Sequence, residues 1–132
     1  MELNTFGAIL NCAMELERAA ADFYTRLASD ESRELTVSLA RAHQKRFQAA
    51  QQMRRENVTE MILEPIYDLR AEDWQMDLRA ATAQDAATCE TKILGFYAAA
   101  SAKISIPEVA RRFRKLAQES EKLQAQAKQL AS

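Results

Sequence analysis

Four stretches of the chain repeat apolar residues with the 3.6-residue period of a helix, separated by two short breaks and one long one. In the first, Phe6, Leu10, Ala13, Glu17, Ala20, Ala21, Tyr24 and Ala28 point within about 60° of one direction, while Glu15, Asp22 and Arg26 point away. A helix over 4–28 follows, with Asn4 or Thr5 able to cap its free N–H groups. Ser29-Asp30-Glu31-Ser32 makes a turn, which sends a second helix over 31–56 back antiparallel to the first. Its inner stripe is Thr36, Leu39, Ala40, His43, Arg46, Phe47, Ala50 and Met53. From Asn57 to about Asp77 the period is lost, around Pro65, and Tyr67 and Trp74 are expected to pack this segment down. A third helix over 78–103 gathers Ala83, Ala86, Glu90, Ile93, Leu94, Tyr97 and Ser101 on one face. Ser105-Ile106-Pro107-Glu108 reads as a capping box with proline in the first turn, opening a fourth helix over 106–130. Val109, Phe113, Leu116, Ala117, Ser120, Leu123, Gln124 and Ala127 form its inner stripe.

A break of about 20 residues, at about 3.3 Å per residue, can travel the ~36 Å of a 24-residue helix. The third helix then starts at the far end and runs parallel to the second, giving an all-α four-helix bundle with one long crossover. The halves also repeat. Glu17, Phe23 and Tyr24 return as Glu90, Phe96 and Tyr97, and Ala13 as Ala86, all at an offset of 73 residues. Leu39, Ala40, Lys45 and Ala50 return as Leu116, Ala117, Lys122 and Ala127 at an offset of 77. The chain therefore reads as a duplicated helical hairpin.

Composition narrows the classes. At 132 residues the chain is sized for a single domain over 1–132, and two glycines with two prolines are too few for the turns of an all-β fold. Eighteen Lys and Arg against nineteen Asp and Glu leave no field to attract nucleic acid. No apolar run approaches the roughly 18 residues of a membrane helix, and Met1-Glu2-Leu3-Asn4 has no basic leader, so a cytoplasmic protein with no membrane partner is expected. Cys12 and Cys89 lack metal-binding spacing and read as ordinary thiols.

The chemistry sits on the apolar stripes. A carboxylate at the centre of a buried face costs several kcal/mol unless it is paired, hydrogen-bonded or bound to metal. Glu17 and Glu90 are two such carboxylates, one from each repeat. Counting back from the turn near residue 30 puts Glu17 level with His43.

On these residues the chain resembles the rubrerythrin branch of the ferritin-like superfamily over nearly its whole length. In that family a Glu precedes a Tyr by seven residues on helices 1 and 3, as Glu17 precedes Tyr24 and Glu90 precedes Tyr97. Its helices 2 and 4 carry Leu-Ala followed by Glu-x-x-His, and the six residues hold two irons. Here the two Glu-x-x-His motifs stand as His43-x-x-Arg46 and Ser120-x-x-Leu123. If the second helix is slipped by three residues, His43 recovers the His position but Ala40 stands in place of the Glu. The C-terminal Cys-rich segment of full rubrerythrins is not in the sequence.

The resemblance thus implies a ferritin-like bundle with a degenerate di-iron site. Arg46 stays protonated, and its guanidinium beside Glu17 and Glu90 is expected to satisfy both carboxylates, with Ser120, Tyr24 and Tyr97 completing the polar network. The plain alternative for Arg46 is a side chain that snorkels to solvent. No catalytic residue and no cofactor are assigned, and a non-catalytic structural, regulatory or partner-binding role is expected. The alternative is an altered metal-binding oxidoreductase, with Glu17, His43 and Glu90 holding iron or manganese. A third reading is a small-ligand binder using the polar core. The resemblance favours a homodimer, and leaves any protein partner open.

Overall fold

Thr5 stands in extended backbone and its hydroxyl accepts the Ala8 N–H at 3.0 Å, which fixes the start of helix α1, Phe6–Leu27. In this computed structural model, which describes residues 1–56 and 66–131, three further helices follow: α2, Arg33–Glu56; α3, Ala83–Lys103; and α4, Pro107–Lys128. One-turn 3-10 segments lie at Ala71–Trp74 and Gln129–Ala131. The described residues are helical apart from turns, loops and one isolated bridge between Glu2 and Arg70. No helix among them is long and apolar enough to cross a membrane.

Two helix starts differ from those the sequence predicts. Helix α3 begins at Ala83 rather than near residue 78, because Thr82 and Asp85 form a capping box and Ala81 stands at φ 49°, a conformation no helix continues through. The Thr-x-x-Asp signal was present in the sequence. The capping box expected at Ser105 is absent: Ile106 is the N-cap, with no side-chain bond, and Pro107 sits at the first helical position. Proline needs no partner for a missing N–H, so the start holds without Ser105.

The packing fixes the helix directions. At one end Leu27, Ser32, Ala83 and Leu130 line a common recess, so α1 ends, α2 and α3 begin, and the last turn closes there. At the other end Arg112 pairs with Glu56 at 3.3 Å. Helices α2 and α3 therefore start at the same end and run parallel. Residues 57–65, including the predicted break around Pro65, lie outside the described set.

From Ile66 the connection runs against the N-terminal segment: Ile66 N–H donates to Asn4 O at 2.8 Å, Leu3 N–H to Leu69 O at 2.7 Å and Ala71 N–H to Met1 O at 2.9 Å. Trp74 then packs edge-on to Phe96 at 6.2 Å, while the Arg26 guanidinium donates to Leu78 O at 3.2 Å. Gly95 makes room for this path, since a Cβ there would stand 2.9 Å from the Trp74 ring. Tyr67 does not pack as expected and is 64% exposed.

The core runs the length of the four stripes, with Phe23 and Tyr24 edge-on at 5.0 Å and their counterparts Phe96 and Tyr97 edge-on at 5.2 Å. Phe47 departs from its stripe. It is half-buried, and the Arg18 guanidinium covers its ring at 4.9 Å.

Candidate functional site

Six polar or charged residues are buried among the described residues, and five of them meet in one cluster: Glu17, His43, Arg46, Glu90 and Ser120. Each of the four helices contributes, because each stripe carries a polar residue at the same height in the bundle. Glu17 and Glu90 are both fully buried.

The imidazole of His43 lies between the two carboxylates. Its Nδ1 is 2.5 Å from Glu17 Oε1 and its Nε2 is 2.7 Å from Glu90 Oε2. A neutral imidazole has one N–H, so bonds to two carboxylates require the doubly protonated cation. Burial pushes the His43 pKa down, but the bonds and charges of Glu17 and Glu90 outweigh it and raise the value to about 9. The Glu17 carboxyl is held below its ordinary range: burial opposes this, and the bond to His43 and the charges of His43 and Arg46 prevail.

Arg46 donates from Nε to Glu17 Oε2 at 3.0 Å and from Nη2 to Ser120 Oγ at 2.6 Å, with a longer contact to Leu116 O at 3.4 Å. Its guanidinium lies 5.0 Å from the centre of the Tyr97 ring. At 6% exposure it does not snorkel. Nor does it satisfy both carboxylates as expected, because the Glu90 oxygen facing the cluster is taken by His43 and Tyr24.

The tyrosine hydroxyls complete the network. Tyr24 donates to Glu90 Oε2 and Tyr97 to Glu17 Oε2, both at 2.5 Å. Burial and the adjacent carboxylates raise both phenol pKa values, which keeps the hydroxyls as donors. Tyr24 also stacks on His43, with ring centres 5.7 Å apart and planes 10° from parallel.

With His43 protonated, two carboxylates face one imidazolium and one guanidinium, and the formal charges cancel. Burying four ions costs several kcal/mol each, and good geometry at best offsets that cost, so the cluster is a poor device for stability alone. Within the cluster two atoms have no hydrogen-bond partner among the described residues: Glu90 Oε1 and Arg46 Nη1.

All seven residues singled out from the sequence, Glu17, Tyr24, His43, Arg46, Glu90, Tyr97 and Ser120, come together here. The Leu116 carbonyl was not foreseeable, since every residue has one. Cys12 and Cys89 are free and buried, and burial pushes both thiols up, Cys12 to about 11.

As a di-iron set the residues do not fit. Both ring nitrogens of His43 are engaged, Arg46 brings a permanent cation, and α4 offers only the Ser120 hydroxyl with apolar Leu123 beyond it. Among the described residues no group of three or more His, Cys, Asp or Glu side chains is arranged to hold a metal ion. Comparison with protein-family models, with curated proteins and with solved structures returns no match to the chain.

Proposed function

We propose that the chain is a rubrerythrin-related, ferritin-like bundle, built by duplication of a helical hairpin, in which a metal-free ion network stands where that family holds two irons. Its role is then non-catalytic: structural, regulatory or partner-binding. The observation that carries the reading is the His43 ring bonded at both nitrogens, at 2.5 and 2.7 Å, to the two carboxylates that would bind metal. Arg46 supports it by adding a second internal cation beside Glu17. The matched pairs of Glu17 with Tyr97 and Glu90 with Tyr24, one from each repeat, support the duplication.

One observation favours a second reading, an altered metal-binding oxidoreductase. Glu90 Oε1 is buried without a partner, so an iron or manganese ion drawn by that oxygen has Glu17 and His43 at hand once His43 gives up one ring proton.

Metal analysis of protein produced with ample iron separates the two. The expected result is iron well below stoichiometric and no oxo-bridged di-iron absorption. Two irons per chain would overturn the proposal. A single metal ion per chain, lost in Glu90→Gln, would transfer it to the second reading. On the same logic His43→Glu, Arg46→His, Ser120→Glu and Leu123→His combined rebuild the family's ligand set, and iron binding is expected to return.

A further inference from the structure

Beside the charged cluster, on the outer side of α1 and α2, lies a recess of about 430 Å³. It is distinct from the core network, and what it binds does not depend on whether the core holds metal. It is lined by Ala28, Val37 and Ala40 on the apolar side and by Thr25, Thr36, Arg33, Arg41 and Gln44 on the polar side, over the buried Tyr24. No Asp or Glu lines it.

Neither arginine is paired. Among the described residues every ion pair of an arginine involves Arg46, Arg70, Arg79 or Arg112, and no hydrogen bond engages the guanidinium of Arg33 or Arg41. Its Arg33 end lies at the first turn of α2, the positive end of a 24-residue helix. Across the ridge formed by Arg33, Val37 and Arg41 the adjoining recess is lined by Asp30 and Glu34. Two arginines therefore have carboxylates on one side and none on the other.

We infer that this recess is a binding site for a small organic anion, a phosphate or carboxylate carried on a compact apolar body. The head pairs with Arg33 and Arg41, whose planar donors match both anion types, and the body lies against Ala28, Val37 and Ala40. The volume is of the size that small-ligand sites have.

The test is titration of the whole chain with phenyl phosphate, followed by amide resonances, with inorganic phosphate as the comparison. The expected result is saturable binding, at least about tenfold tighter for phenyl phosphate than for inorganic phosphate, with shifts centred on Thr36, Val37, Ala40 and Gln44. Arg33→Gln with Arg41→Gln should weaken it at least about tenfold. Gln44→Glu, which puts a carboxylate into the recess from an exposed position, should do the same, whereas Ser38→Glu on the far side of the ridge should change affinity by less than about threefold. These side chains are exposed, so the variants are expected to fold, and circular dichroism checks this. No saturation by about 10 mM, equal affinity for the two probes, or a greater loss in Ser38→Glu than in Gln44→Glu would each overturn the assignment.

Discussion

Tyr24 on α1 gives its hydroxyl hydrogen bond to Glu90 on α3, and Tyr97 on α3 returns one to Glu17 on α1, each at 2.5 Å. The first and third helices thus satisfy one another's buried carboxylates across the bundle. The exchange is unequal in its surroundings. Glu17 also accepts from His43 and Arg46, while Glu90 has only His43 besides Tyr24 and keeps Oε1 unpaired.

That inequality predicts an order of mutational cost. Losing a buried partner costs about 1–3 kcal/mol, more when the stranded group is charged. Tyr24→Phe, which leaves Glu90 with His43 alone, should therefore destabilise more than Tyr97→Phe, which leaves Glu17 with two cations. Urea unfolding of both variants checks this, and equal losses would mean that the two carboxylates share their partners more evenly than the hydrogen bonds indicate.

His43 predicts an alkaline limit. Its folded pKa of about 9 lies above the ordinary value of 6.5, so the folded state binds the extra proton more tightly. The contribution is fully present below pH 6.5 and is lost as pH rises through about 9. The shift corresponds to about 3 kcal/mol. Cys12 and Cys89 act in the same direction, but only above the thiol reference value of 9.0, which leaves the lower window to His43. Stability should fall between pH 7 and 9 in the natural chain and stay nearly flat over that window in His43→Gln.

Arg46 is the second internal cation, and its removal strands charge. Arg46→Ala should cost about 3–5 kcal/mol by leaving Glu17 short of a counter-ion and Ser120 without its donor. Arg46→Lys should fall between, since an ammonium keeps the charge but not the guanidinium geometry that joins Glu17 to Ser120. A loss under about 1 kcal/mol for Arg46→Ala, the size of a surface pair, would show that Glu17 is neutralised without it.

Gly95→Ala makes a spectroscopic prediction. The added Cβ meets the Trp74 ring at 2.9 Å, so the indole must leave its seat on Phe96. Alanine favours the helix by about 1 kcal/mol over glycine, which offsets part of the cost. Emission of the single tryptophan should shift to the red in Gly95→Ala, and unchanged emission would mean that the ring yields without becoming more exposed.

The helical period alone was enough to place Glu17, His43, Arg46, Glu90 and Ser120 on inward faces, and the length of the break after residue 56 permitted a crossover that sets α3 parallel to α2. These properties are local or topological: a repeat of 3.6 residues picks out a face, and the reach of an extended chain bounds which ends the next helix can start from. What only the tertiary structure decided is which cation stands between the carboxylates. His43 and Arg46 are neighbours on one face of α2, three residues apart, and periodicity cannot rank them, because the choice turns on a few ångströms of side-chain reach across the bundle. The short aromatic ring of His43 spans Glu17 to Glu90, while the longer Arg46 passes the pair and ends on Ser120. The late start of α3 and the seat of Trp74 on Gly95 belong to the same class: each is set by a contact or a cap whose partner stands outside the repeating pattern.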